Sequence, residues 1–106
     1  MNDTDFEKLA DQTLARVDSA LEESGLDADV LLKEGGILEI EFADGSKLIV
    51  NRHRAAREIW VAAPAGGFHF RWDGTAWRDS RDGGELFEAL SRLASWQSGK
   101  PVRLQP

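Results

Sequence analysis

The chain of 106 residues carries 19 acidic and 13 basic side chains, a net charge of −6, no cysteine and 42% apolar residues. That suffices for one packed core and is too short for two, so a single domain over residues 1–106 is expected. The composition excludes disulfides, thiolate metal sites and cysteine nucleophiles; the negative charge disfavours nucleic-acid binding, and the lack of roughly 18 consecutive apolar residues or of a basic, then apolar, start points to a cytoplasmic protein away from the membrane.

Thr4 and Glu7 have capping-box spacing, and Phe6, Leu9, Ala10, Thr13, Leu14, Val17 and Leu21 recur at steps of three and four up to Ser24-Gly25. This predicts a helix over about 4 to 24. At about 100° per residue, Asp3, Glu7, Asp11, Asp18 and Glu22 form a ridge beside the apolar stripe. A loop containing Asp27 and Asp29 follows, and then Gly35-Gly36 opens a strand over 37–42 in which Leu38, Ile40 and Phe42 share one face. Asp44-Gly45 turns it into an antiparallel partner over 46–51. After a polar connector, residues 58–63 and 68–72 read as a third and fourth strand, and Asp73-Gly74 leads to a short fifth around Trp77. Helical spacing returns in Leu86, Phe87, Leu90, Leu93 and Ala94, which predicts a second helix over about 84 to 98, closed by Gly99 and Pro101. The tail is expected to lay Val102 and Leu104 across the remaining gap. The fold class is therefore α+β: two helices packed on one face of an antiparallel β-sheet, in the order α-β-β-β-β-β-α.

The other sheet face is left open. If Ile59 and Val61 point inward, Trp60 points out, together with Glu39, Glu41, Ile49, Asn51, His69 and Arg71. An aromatic anchor among polar neighbours suits a partner-binding surface, and half-burial of Trp60 under the 52–57 loop is the alternative. Charge is unevenly distributed: residues 1–34 hold ten acids and three bases, the remainder nine acids and ten bases. Neighbouring carboxylates on the helix lie about 5 to 6 Å apart, close enough to share a hard cation, though a solvated acidic face has the same pattern. Oxygen ligands suit iron in either oxidation state as well as calcium, magnesium and manganese. His53 and His69 show no metal-ligand spacing, and no catalytic nucleophile or phosphate-binding glycine pattern is present, so no catalytic residue is assigned.

The opening Met1-Asn-Asp-Thr-Asp-Phe6 with Leu9-Ala-Asp-Gln12, then Gly35-Gly-Ile-Leu38, Gly45-Ser-Lys47, Val50-Asn-Arg52, Ile59-Trp60, Gly66-Gly-Phe-His-Phe70 and the Trp77 strand run in an order that resembles the frataxin family, in its bacterial branch. The resemblance implies an iron-binding accessory and regulatory protein of iron–sulfur cluster assembly, without a prosthetic group, that docks on the cysteine desulfurase and, as a second partner, the cluster scaffold protein. It implies an iron surface at Asp11, Asp18, Glu22, Glu23, Asp27 and Asp29, to which the ridge adds Glu7, and a partner surface at Asn51 and Trp60, to which strand alternation adds Glu39 and Glu41. Iron, ferrous or ferric, would be held weakly, because Leu26, Ala28, Leu31 and Leu32 interrupt the acidic run. His53 and Ala55 stand where the family commonly has Gln and Pro. A ferroxidase or iron-storage activity of the same carboxylates is the competing reading. A monomer is expected at this charge, with metal-driven self-association as the alternative.

Overall fold

The computed structural model describes residues 1–106. The chain runs α1 (Asp3–Glu23), β1 (Ala28–Lys33), β2 (Ile37–Phe42), β3 (Lys47–His53), β4 (Glu58–Ala63), β5 (Gly66–Trp72), β6 (Trp77–Asp79) and α2 (Leu86–Ser98). The six strands form one antiparallel meander in sequential order. The sheet therefore has six strands rather than the five expected from sequence. The extra one, β1, includes Asp29 and occupies the loop expected after α1; its Val30, Leu31 and Leu32 form a run without alternation, the pattern of an edge strand wet on both faces.

The cap of helix α1 lies two residues earlier than predicted. The Asn2 side chain, not that of Thr4, accepts a hydrogen bond from Asp5 N–H at 2.8 Å, and Asp3 and Asp5 place negative charge on the first turn, where the helix dipole favours it. Phe6, Ala10, Leu14, Val17 and Leu21 are buried as the periodicity requires. They meet Leu38, Ile40, Leu48, Val50, Ile59, Val61 and Phe70, the inward positions of the central strands, in the same core. Helix α2 contributes Leu86, Phe87, Leu90, Leu93 and Ala94 to that core. It is capped by Glu85, whose carboxylate accepts from Phe87 and Glu88 N–H, and it ends at left-handed Gly99.

The tail behaves as expected. Leu104 is buried, and the hydroxyls of Ser95 and Ser91 accept from the N–H groups of Val102 and Leu104 at 2.9 and 2.8 Å. Inside the core, Trp77 Nε1–H donates to Thr13 Oγ1 at 3.0 Å, and that hydroxyl donates to the Leu9 carbonyl at 2.8 Å. The buried indole N–H and the Thr13 hydroxyl are thereby both satisfied. Both helices lie on one sheet face, which leaves the opposite face open to water, and no helix is long and apolar enough to cross a membrane.

Candidate iron and partner surface

The acidic ridge of α1 divides into two halves with different electrostatics. Its N-terminal half lies against the end of β3 and the turn after it, a stretch rich in arginine. Arg52 Nε donates to Asp11 at 2.8 Å, Arg54 reaches Glu7 at 3.2 Å and Asp3 at 3.4 Å, and Arg57 reaches Asp3 at 2.9 Å. Arg52 lies flat across Gly36, whose φ of +75° and missing Cβ leave room for the guanidinium stem; a side chain at 36 would occupy the same space. Glu7 and Asp11, both predicted iron ligands, are therefore already neutralised.

The C-terminal half is different. Glu23 is held by the two terminal guanidinium nitrogens of Arg16, at 3.0 and 3.2 Å, and this pairing keeps its carboxyl below the usual range. Asp18, Glu22, Asp27 and Asp29 have no basic partner within 4 Å. Asp18 and Glu22 form one wall of a groove whose other side is the apolar floor of Leu21, Leu26, Ala28 and Val30. Asp27 and Asp29 continue the acidic edge onto β1. Of the seven predicted iron residues, four are thus free to attract a cation and three are occupied by arginine. No three carboxylates or imidazoles converge around a common point.

On the open face the register sets a row across the sheet: Ile37 opposite Asn51, Asn51 opposite Trp60, Trp60 opposite His69. Trp60 does point to this side, but it is half-buried. The cover is not the 52–57 loop alone: its indole is stacked between the imidazoles of His53 and His69, with centroids at 3.7 and 4.5 Å and planes within 10°. The indole N–H donates to Glu58 at 2.9 Å, and that carboxylate, nearly buried, also accepts from Arg71 at 3.3 Å. His53 is fixed by the Ala56 N–H, which donates to its Nδ1 at 3.2 Å. In sequence the two histidines show no metal-ligand spacing and Glu58 carries no motif, so neither marks this cluster. The alternation that put His69 beside Trp60 was visible, but the strand register that stacks them was not.

The remaining predicted partner residues differ in availability. Glu39 is clasped by Lys33 at 2.6 Å and Lys47 at 2.8 Å, and these two ammonium groups hold its carboxyl down at about 2. Glu41 is exposed and carries no ion pair, and Asn51 is half-buried beside Trp60. The open face therefore offers a rigid aromatic platform flanked by Asn51 and Glu41, with Glu39 internally compensated.

The frataxin-like domain family matches residues 1–100. The chain is 62% identical over 105 residues to the iron-sulfur cluster assembly protein CyaY of Dechloromonas aromatica (strain RCB), covering 99% of this chain and all of that one. Among solved structures, the frataxin of Psychromonas ingrahamii superposes with a TM-score of 0.91 at 35% identity, covering both chains completely. The trimeric frataxin of the yeast Saccharomyces cerevisiae, in a ferrous complex, superposes at 0.73 with 25% identity over 86% of each chain.

Proposed function

The chain belongs to the frataxin family, in its bacterial iron–sulfur cluster assembly branch, and we propose that it holds iron loosely on surface carboxylates and docks through them on the cysteine desulfurase. Membership carries an accessory role in cluster assembly without catalysis of its own. The observation that supports the finer reading is the set of four carboxylates, Asp18, Glu22, Asp27 and Asp29, left without basic partners along one edge while the arginines nearby serve Glu7, Asp11 and Glu23.

Iron is cargo in this reading. The available ligands are oxygens, which suit hard ferrous and ferric ions, and their spread along the edge favours exchangeable binding by one or two carboxylates plus water over a closed coordination sphere. That arrangement speaks for delivery or sensing and against ferroxidase chemistry, which requires several ligands aimed at the reacting metal. The same unpaired charge suits a basic surface on the desulfurase, where it would steer the encounter and hold the complex through rim contacts. The platform around Trp60, with Asn51 and Glu41, is the second contact surface, fitted to the cluster scaffold protein. The compartment of this work is the cytoplasm.

The test is calorimetric titration of the desulfurase with two double variants. Asp18→Lys/Glu22→Lys is expected to weaken binding by about tenfold or more, whereas Glu7→Gln/Asp11→Asn, which removes charge already compensated by Arg54 and Arg52, should change it by less than about twofold. Equal effects of the two variants, or none, would overturn the reading.

A further inference from the structure

The two edges of the sheet are not alike. At one, β6 is three residues long and its outer side is closed by a bridge between Arg78 and Glu85. At the other, β1 is six residues long, pairs with β2 residue for residue without a bulge, and contains no proline. Its centre is apolar and open to water: Val30 is 36% exposed, Leu31 56% and Leu32 47%. A regular edge strand with an exposed apolar centre is a template for another strand unless a charge, bulge or cover blocks it, and here charges stand only at the two ends, Asp29 and Lys33.

We propose that two copies of this chain associate through β1, antiparallel about a two-fold axis at Leu31, to make a continuous twelve-stranded sheet. The backbone permits this register. Phe42 N–H bonds to Ser46 and Arg52 N–H to Gly36, so the even-numbered residues of β2 face β3 and its odd-numbered residues face β1. By the β1–β2 pairing, Asp29, Leu31 and Lys33 then face β2, and the N–H and C=O groups of Val30 and Leu32 point outward, unpaired. A two-fold at Leu31 sets Val30 of each copy opposite Leu32 of the other and uses those outward groups.

Side chains select this register among those the backbone allows. Asp29, which has no partner within its own chain, falls opposite Lys33 of the other copy. The Lys33 ammonium, with three donors and only Glu39 within its chain, has capacity for a second carboxylate. Shifting the axis to residue 30 or 32 breaks both ion pairs and sets Asp29 against Leu31 or Gly35. On the helix side, Val30 and Leu32 of each copy cover one another, and on the open side the two Leu31 side chains meet. A net charge of −6 per copy opposes the contact, so salt, by screening the acidic edges that flank the strand, should promote it. The same charge is why the sequence alone leads to a monomer.

The chain lacks cysteine, which allows a direct test with single-cysteine variants. In the proposed register the two Leu31 Cα atoms lie at the roughly 4.5 Å of a non-hydrogen-bonded pair, within disulfide range, whereas the two residues 29 are separated by four rungs, about 14 Å. Leu31→Cys is expected to cross-link on mild oxidation at least about tenfold faster than Asp29→Cys, and equal rates would overturn the proposal. Sedimentation of the unmodified protein supplies the second arm. The dimer fraction should rise with protein and salt concentration and disappear in Leu31→Asp, a change at an exposed position that leaves the circular dichroism of the monomer unaltered. A protein that stays monomeric at millimolar concentration in high salt, or a dimer indifferent to Leu31→Asp, contradicts it.

Discussion

Arg52 on β3 and Asp11 on α1 are joined across the layer between sheet and helix, Nε–H to Oδ1 at 2.8 Å, and that one contact decides which part of the acidic ridge is available. It is possible only because Gly36 gives the arginine stem a bed. Gly36→Ala places a side chain in that bed and in a left-handed conformation, so it should cost about 1 to 2 kcal/mol in urea unfolding. Arg52→Gln, which frees Asp11 without disturbing Gly36, should cost no more than about 1 kcal/mol. Equal stability of the alanine variant and the parent would contradict this account of the bed.

The buried Thr13–Trp77 bond makes a second prediction. Thr13→Val keeps the shape of the side chain but leaves the indole N–H without an acceptor in a dry site. A loss of about 1 to 3 kcal/mol is expected in chemical denaturation, while Thr13→Ser, which retains the hydroxyl, should recover part of it.

Glu39 supplies a pH signature. Its carboxyl, hydrogen-bonded by Lys33 and Lys47, is held at about 2 in the folded protein and returns to the ordinary carboxylate value when the chain unfolds. The stabilisation is therefore fully present above the ordinary value and is lost as pH falls through about 2. Melting curves of the parent and Glu39→Gln should lie furthest apart at neutral pH, with the variant less stable, and converge on acidification. A constant difference across that range would show that the lysines do not act on this carboxylate.

The stacked indole is open to spectroscopy. Removing either imidazole, by His53→Ala or His69→Ala, uncovers one face of Trp60. The emission assigned to Trp60, taken as the difference from a Trp60→Phe background, should move to longer wavelength in each variant and furthest in the double variant. Stability should fall by about 0.5 to 1.5 kcal/mol for each stack lost. An unmoved spectrum would mean that the platform is not rigid in solution.

Most of the layered architecture could be read from the chain because its signals are local. The steps of three and four in α1 and α2, the alternation in β2, and the Asp44-Gly45 hairpin each depend on neighbours in sequence. Strand β1 was not readable in that way: an edge strand exposed on both faces shows no alternation, and only its pairing with β2 reveals it. The candidate site divided along the same line. Helical geometry sufficed to gather Glu7, Asp11, Asp18 and Glu22 onto one ridge. Which of them are compensated depends on Arg52 and Arg54, more than forty residues away in sequence and brought alongside only by the folding of β3 under α1. Burial of Glu58 between His53 and Arg71 of the neighbouring strands is likewise a matter of cross-strand register.

The measurement that bears most directly on the central claim is an amide chemical-shift map recorded during anaerobic titration with ferrous iron and, separately, with the desulfurase. Broadening and shifts are predicted at residues 18, 22, 27 and 29 in both titrations, with residues 7 and 11 nearly silent. Perturbation centred on Glu7 and Asp11, or spread evenly along α1, would contradict the division of the ridge into a compensated and a free half.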